Sequence, residues 1–239
     1  MPAIGLNARR LFGLLVGAMA LVGILIIGVK NAPRWLAASG TPATAVGASQ
    51  TTPDGVGADM LAWQRRVGIV SGHRGNDSGT VCQDGLTEAQ VNFDHATRVA
   101  AFLRAEGYTV DVLDEFDARL KGYRAAALLS IHADSCTFVN AEATGFKVAR
   151  ALESHLPGTE DALVACLVGR YKQATGLPFH VNTVTFDMTK YHAFYEVGQD
   201  TPAAIIETGF LNLDRQLLTR KPEVVAQGIT DGLLCFLRR

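Results

Sequence analysis

The sequence has no dense run of lysine or arginine, and its 22 basic and 23 acidic residues leave a formal net charge of -1. Proteins that bind nucleic acid need a basic face for the phosphates, so this balance argues against a polyanionic partner. The chain of 239 residues also has no internal repeat, and its length suffices for one well-filled domain plus an appendage.

Closely spaced cysteines are absent as well. The four cysteines are Cys82, Cys136, Cys166 and Cys235. None of them has the short paired spacing of a zinc site built from thiolates. An exported domain is permitted disulfides, and four cysteines allow three pairings. Cys166 and Cys235 lie in apolar helical patterns, which favours buried free thiols at these two positions.

Charged residues are missing from Leu11 to Val29, a stretch of 19 residues with basic residues at both ends. As a helix rising about 1.5 Å per residue, it would extend roughly 28 Å, close to the hydrocarbon thickness of a bilayer. A cleaved secretory signal usually has a shorter apolar region of about 7–15 residues, so the pattern favours an uncleaved transmembrane anchor within residues 1–36. Small residues from Ala43 to Ala48 keep cleavage open as the alternative, and the flanking charges do not decide the orientation.

Large apolar residues are nearly absent from residues 37–60, which are rich in Ala, Gly, Ser, Thr and Pro. Such a segment cannot bury enough surface to offset the entropy of ordering it. We therefore predict a flexible linker over residues 37–64 and a folded domain over residues 65–239.

Apolar strand-like runs alternate with helical patterns throughout this domain. The predicted strands are Val67–Val70, Tyr108–Leu113, Ala125–Ile131, Gly145–Arg150 and Ala203–Ile206, and the predicted helices are Thr87–Glu106, Thr159–Thr175 and Pro222–Leu237. The alternation is typical of an α/β fold with a single, mainly parallel twisted sheet and helices on both faces. Thr183–Phe186 is a candidate for a further short strand.

Three of these strands end at a residue that can carry chemistry. His73 follows the first strand through Ser-Gly, while His132 and Glu207 directly follow apolar runs. Open α/β sheets place their sites outside the carboxyl ends of the strands, so we expect the three side chains at one edge of the sheet.

Glu88 is predicted to join them from the start of the first helix. At about 100° per residue it shares a face with Asn92, His95 and the apolar residues that follow. A carboxylate on such a face points inward near the loop of His73, where it is costly unless paired or bound to a metal. The alternative is an ordinary acidic residue at a helix amino terminus, where the dipole favours it. For His95 the favoured interpretation is a buried, hydrogen-bonded histidine.

His73, Glu88 and His132 together form a two-histidine, one-carboxylate set, a common arrangement for catalytic zinc that leaves a fourth position for water. Such a metal lowers the pKa of its water toward about 7 and polarises a carbonyl. A separate carboxylate must take the proton of the water and pass it to the leaving nitrogen, and Glu207 is the candidate.

These residues stand within longer motifs. In order along the chain they are Ile69–Gly79 (IVSGHRGNDSG), then Glu88, then Ser130–Asp134 (SIHAD), then Ile206–Asn212 (IETGFLN). From about Arg65 to the carboxyl end, the chain resembles the zinc-dependent N-acetylmuramoyl-L-alanine amidases of bacterial cell walls, the amidase type 3 family. The resemblance implies zinc bound by His73, Glu88 and His132, with Glu207 as the catalytic acid and base.

The implied reaction is hydrolysis of the amide between N-acetylmuramic acid and the L-alanine of the peptide stem in peptidoglycan. Because that substrate lies outside the cytoplasmic membrane, we predict a single-pass anchor with the catalytic domain on the extracytoplasmic side, or a secreted protein if the amino terminus is cleaved. Another zinc peptidase or amidohydrolase acting on cell-wall peptides and a non-catalytic, amidase-like wall-binding module remain alternatives. Some relatives have an inserted helix that a partner displaces, but Gly145–Gly158 is too short for one, so activation by a partner is not favoured.

Four further residues are weaker candidates near this site. Arg74 stands where the family usually has glycine, and could alter contacts with the substrate. Asn92 and Asp134 are candidates for orienting the metal ligands. His192 could polarise the carbonyl or orient the substrate, although a loop or core histidine is the favoured interpretation.

The disulfide prediction follows from the metal prediction. If His73 and His132 bind one metal, Cys82 and Cys136 follow them on neighbouring loops. These two cysteines are therefore the candidate disulfide at the rim of the site.

Overall fold

One sheet of five strands forms the centre of the domain. The computed structural model describes residues 62–239. The strands are β1 (Arg66–Ser71), β2 (Thr109–Leu113), β3 (Ala127–Asp134), β4 (Lys147–Ala149) and β5 (Ala203–Phe210), in the order β2-β1-β3-β5-β4. β1 pairs in parallel with β2 and β3, β3 pairs in parallel with β5, and the edge strand β4 runs antiparallel to β5. The sheet is therefore mainly parallel, as predicted.

The predicted membrane anchor in residues 1–36 and residues 37–61 of the predicted linker lie outside the described residues. Within residues 62–239, none of the helices combines the length and the apolar character needed to cross a bilayer. The anchor, the linker and their boundaries stay predictions.

Three long helices cover one face of the sheet. The α-helices are α1 (Glu88–Ala105), α2 (Pro157–Thr175), α3 (Phe186–Thr189), α4 (Ala193–Glu196), α5 (Arg215–Arg220) and α6 (Pro222–Leu237). α1 begins with a capping box, in which the Thr87 hydroxyl accepts from the Gln90 N–H and the Gln90 side chain accepts from the Thr87 N–H. Apolar residues of α1, α2 and α6 pack in one core with alternate residues of β1, β3 and β5.

The sequence predicted helices on both faces of the sheet, but a loop connection and two short helices cover the second face. Right-handed crossovers place the β1–β2 and β2–β3 connections on opposite faces, because they move in opposite directions across the sheet. The first connection contains α1, whereas the second, residues 114–126, contains only a 3₁₀ turn at Ala118–Leu120. That connection and the short helices α3 and α4 pack their apolar side chains on this face, against Val70, Leu128 and Ile205.

The prediction of a short strand at Thr183–Phe186 is wrong. A 3₁₀ turn occupies Val181–Thr183, and α3 begins directly after Thr185. The hydroxyl of Thr185 accepts a hydrogen bond from the Met188 N–H at 3.3 Å, so this threonine caps a helix instead of extending a strand.

Both pairs of cysteines form disulfides. Cys82 is joined to Cys136, the pairing that the sequence analysis suggested at the rim. Cys166 is joined to Cys235, so the prediction of free thiols at these positions is wrong. The sequence pattern could not reveal that α2 and α6 are neighbours. Their close approach depends on Gly232, where a Cβ atom would lie 2.9 Å from the Leu167 Cα.

The pairing of the strands determines where the polar residues of the second face lie. His132 of β3 is paired directly with Glu207 of β5, and Glu207 is paired directly with Lys147 of β4. Directly paired residues project from the same face of a sheet. The three side chains therefore stand side by side in one row, at the carboxyl ends of the parallel strands.

Candidate metal centre

Three side chains converge at this edge of the sheet. His73 lies in the loop after β1, Glu88 is the first residue of α1, and His132 lies near the end of β3. The Glu88 Oε1 atom is 3.2 Å from His73 Nε2 and 3.3 Å from His132 Nδ1. One nitrogen or oxygen from each residue lies within 4.8 Å of the other two. The structure thus brings together the residues that the sequence predicted as metal ligands.

The spacing of these atoms suits a zinc ion. Zinc bonds of about 2.0–2.1 Å in a tetrahedral site place neighbouring ligand atoms roughly 3.3 Å apart. The separations of 3.2 and 3.3 Å equal this edge within a tenth of an ångström. Two imidazole nitrogens and one carboxylate oxygen are also donors that zinc prefers. The donor types therefore fit zinc, and the two oxygen–nitrogen edges of the group have the length found in a tetrahedral site.

Two glycines allow the backbone to close around the site. A Cβ atom on Gly72 would lie 2.5 Å from the ring of His132, and one on Gly79 would lie 2.6 Å from the Glu88 Oε2 atom. His73 itself adopts a φ of 67°, which is unusual for a residue other than glycine. Such backbone strain concentrates at functional sites. The loop between β1 and α1 is therefore shaped to bring His73 and Glu88 together.

Hydrogen bonds from neighbouring residues support His73 and Glu88. His73 Nδ1 is 2.6 Å from the Asp77 Oδ1 atom. Glu88 Oε1 accepts from Asn92 Nδ2 at 3.2 Å and from the Ala133 N–H at 3.1 Å. Asn92 thus contacts the residue that it was predicted to orient. Asp77 was not singled out from the sequence, although it lies in the same loop motif as His73.

The close contacts shift the pKa values of the group strongly. The hydrogen bond with Glu88 raises the pKa of His73 to about 9, although burial opposes this shift. Burial alone would raise the pKa of Glu88, but its hydrogen bonds with His132 and His73 hold that pKa far below the usual range. The site therefore favours a negative Glu88 between two groups that bind either a proton or a cation.

Glu207 lies beside this group in the row of the sheet. It is partly exposed, but its Oε2 atom is inaccessible and has no hydrogen-bond partner within residues 62–239. Desolvation raises the pKa of the Glu207 carboxyl to about 7, an effect that the charge of His132 opposes and that of Asp134 reinforces. A carboxylate with a pKa near neutrality can both accept and return a proton.

Asp134 and Arg74 each form an ion pair, and their predicted roles stay predictions. The carboxylate of Asp134 pairs with buried Lys147, with 2.5 Å between Oδ2 and Nζ, and has no hydrogen bond to a residue of the metal group. Arg74 pairs with Asp114 at 3.0 Å, and its guanidinium lies 4.1 Å from the centre of the Phe93 ring. Both charged groups are therefore held by partners outside the metal group.

His192 is fully engaged by two carboxylates. Its Nε2 atom is 3.1 Å from the Glu115 Oε1 atom, and its Nδ1 atom is 2.7 Å from the Glu196 Oε1 atom. Burial tends to lower the pKa of His192, but these two hydrogen bonds outweigh it and raise the pKa. Both ring nitrogens of His192 thus contact carboxylates of the protein, and its predicted role toward the substrate stays a prediction.

Glu115 was missed by the sequence analysis. It is buried two residues after β2, and its Oε2 atom accepts from the His73 N–H at 2.6 Å. The same oxygen lies 3.6 Å from His132 Nε2. The reasoning that polar residues follow strand ends could have found Glu115, since β2 ends at Leu113 next to β1.

His95 is buried, with its Nε2 atom 2.9 Å from the Leu218 carbonyl oxygen, so the expectation of a hydrogen-bonded core histidine is confirmed.

The chain matches a known family over most of its length. The model of the amidase type 3 family, described as N-acetylmuramoyl-L-alanine amidase, matches residues 67–235. No curated protein matches the chain significantly.

Solved structures of amidases are similar to this fold. An N-acetylmuramoyl-L-alanine amidase from Clostridium difficile 630 is 22% identical with a TM-score of 0.58, and the match covers 72% of this chain and 96% of that chain. The amidase AmiC2 of Nostoc punctiforme is 24% identical with a TM-score of 0.52, covering 74% and 98%. The CwlD amidase from Clostridioides difficile, solved in complex with the GerS lipoprotein, is 17% identical with a TM-score of 0.57, covering 72% and 98%. At these identities the similarity establishes the fold.

Proposed function

Since this chain belongs to the family of N-acetylmuramoyl-L-alanine amidases, we propose that it hydrolyses peptidoglycan with a zinc ion held by His73, Glu88 and His132. The bond cleaved is the amide between N-acetylmuramic acid and the L-alanine of the peptide stem. The observation that carries the zinc proposal is the contact of Glu88 Oε1 with one nitrogen of each histidine, at 3.2 and 3.3 Å, on the strand edge where Glu207 is paired with His132.

The residues of the chain divide the chemistry between them. When bound, the zinc ion polarises the amide carbonyl and makes water acidic enough to attack near neutral pH. Glu207 takes the proton of the attacking water and gives it to the leaving nitrogen, and its pKa of about 7 suits both transfers. Lys147, in direct register with Glu207, pairs with Asp134, so the row of the sheet continues beyond Glu207 as an ion pair.

An extracytoplasmic location agrees with this function, because peptidoglycan lies outside the cytoplasmic membrane. The two disulfides support this location, since disulfides persist in oxidising compartments and are rare in the cytosol. We propose that residues 1–36 tether the domain to the membrane on that side.

Digestion of purified peptidoglycan tests the proposal. We expect the full chain to release free peptide stems that begin with L-alanine, together with glycan chains that have lost their peptides. A chelator should stop the release and added zinc should restore it, because the three ligands act only through the metal. Mass spectrometry of the soluble products identifies the cleaved bond.

Two results would contradict the proposal. Shortened stems still attached to muramic acid would indicate a peptidase that cleaves another bond. Binding to peptidoglycan without any zinc-dependent release would indicate a wall-binding module.

Zinc binding should also depend on pH. Zinc and a proton compete for His73 Nε2, and the contact with Glu88 raises the pKa of His73 to about 9. Below about pH 9 His73 carries this proton, and zinc must displace it. The zinc affinity should therefore fall by up to about tenfold for each unit by which the pH is lowered, counting His73 alone. Competition with a chromophoric chelator between about pH 6.5 and 9.5, corrected for the chelator's own protonation, measures the slope; a flat profile would refute the competition.

A further inference from the structure

Glu115 is a buried carboxylate that takes no part in the proposed hydrolysis. It nevertheless lies against His73 and His132 of the metal group. Its side chain is 8% exposed. The Oε2 atom accepts a hydrogen bond from the His73 N–H at 2.6 Å and lies 3.6 Å from His132 Nε2. One carboxylate oxygen therefore faces both histidines of the metal group.

The orientation of His132 determines what Glu115 can do. His132 Nδ1 points at Glu88 Oε1, so a metal held there is bound through Nδ1. A neutral imidazole that binds a metal through one nitrogen carries its proton on the other, and that N–H needs an acceptor. His132 Nε2 is buried and makes no hydrogen bond in the part of the chain that the structure describes. Glu115 Oε2 is the carboxylate oxygen that faces it.

The other side of Glu115 is held by His192. Glu115 Oε1 is 3.1 Å from His192 Nε2, and the second nitrogen of His192 is bound by Glu196. The His192 ring stacks on Phe116, with 4.2 Å between the ring centroids. His192 thus supports Glu115 from the surface, which gives this histidine a role that the sequence alone did not indicate.

We propose that Glu115 is a positioning residue for metal binding, which fixes the Nε2-protonated form of His132 and the backbone of His73. The inference rests on the proposed function, because it concerns the zinc ligands. The competing explanation is that Glu115 only ties two loops together, since its own N–H also donates to the Arg74 carbonyl at 2.9 Å.

The variant Glu115→Gln separates these explanations. Glutamine has the same shape and can still accept from the His73 N–H, so the loops stay tied. The amide oxygen then still faces His132 Nε2, but as a neutral and weaker acceptor without the negative charge, and the amide nitrogen presents donors rather than an acceptor to His192 Nε2. We expect zinc affinity to fall about 10–100-fold, the usual effect of losing a residue behind a metal ligand.

The measurements use the full chain prepared without metal. Zinc affinity is measured by chelator competition, and ligand geometry by the visible spectrum of the cobalt-loaded protein. The midpoint of urea unfolding of the metal-free protein shows whether each variant is as stably folded as wild type. Glu115→Gln should weaken zinc binding and change the cobalt spectrum while the unfolding midpoint stays close to that of wild type. Glu115→Asp, which restores the charge on a shorter side chain, should recover part of the affinity.

Glu160→Gln is the matched control. Glu160 is also buried, but it accepts from the Ala203 N–H at 3.2 Å, at the opposite end of β5 from Phe210. This variant should bind zinc within about twofold of wild type and keep the cobalt spectrum, since it lies behind none of the ligands.

The outcomes distinguish the inference from the proposed function. Wild-type protein that binds no zinc would overturn both. Wild-type protein that binds zinc, with a folded Glu115→Gln variant that binds it equally well, would overturn the positioning role alone. Equal weakening in Glu115→Gln and Glu160→Gln would also overturn that role, since the loss would then be general.

Discussion

The variant Glu207→Gln should lose hydrolysis of peptidoglycan while it keeps zinc binding. Glutamine preserves the size of the side chain but cannot take the proton of the attacking water. General acid and base catalysis contributes typically about 10²–10⁴-fold to a rate, and Glu207 is proposed to serve as both, so we expect a loss of at least about 10³-fold. The zinc content should be unchanged, because the three proposed ligands lie on other elements.

The position of Glu207 is what makes this effect large. Its Oε2 atom is inaccessible and has no hydrogen-bond partner among the residues that the structure describes, and this desolvation raises the pKa of the carboxyl to about 7, within the range of a group that takes up and returns a proton. Its neighbour in the sheet, His132, belongs to the metal group. The proposed proton acceptor and one of the proposed metal ligands therefore lie on adjacent strands.

Release of stems measured by mass spectrometry, together with zinc analysis of the same protein, tests this prediction. Glu160→Gln makes the same chemical change at another carboxylate whose pKa is raised by burial, and it should leave the rate within about twofold of wild type. If Glu207→Gln retained more than a tenth of the wild-type rate, another group would have to move the proton.

The arrangement of the site was predictable where it follows from the regular structure. His132 and Glu207 reach the same edge because β3 and β5 are parallel and directly paired. Glu88 was predictable because a helix repeats every 3.6 residues, and its face continues as the core residues of α1. Helical periodicity is a property of the local sequence, and the alternation of strands and helices along the chain indicates parallel strands, which explains why these predictions succeed.

The supporting contacts depend instead on the paths of loops. Glu115 reaches His73 only because the connection after β2 packs beside the loop after β1, where His73 adopts a φ of 67°. The Cys166–Cys235 disulfide likewise depends on two helices being neighbours. A single sequence contains no periodic signal for such contacts between distant segments. Its position after β2 could have marked Glu115 as a candidate, but its contacts with His73 and His132 emerged only from the structure.

The coverage of the second face shows the same limit. The alternation of strands and helices predicted helices on both faces, but the β2–β3 connection is too short for a long helix. Apolar side chains such as Leu120 and Tyr123 from that connection fill the place of a helix.

The variant His73→Ala should lose zinc and hydrolysis together. His73 supplies one of three ligand atoms, and two remaining ligands cannot complete a tetrahedral site in which water occupies the fourth position. Removing a ligand should weaken zinc binding by more than the roughly 10–100-fold that is typical of residues behind a ligand. Activity should fall to background at micromolar zinc, since the polarised carbonyl and the acidic water both depend on the metal.

A histidine outside the site provides the control for this experiment. His155 is exposed and lies in the segment before α2, so His155→Ala should change neither zinc affinity nor the release of stems. The contrast with Glu207→Gln then separates proton transfer from metal binding. Glu207→Gln should keep zinc and lose hydrolysis, whereas His73→Ala should lose both. A His73→Ala protein that bound zinc with wild-type affinity would show that the metal is held by other residues, and the assignment of the centre would fail.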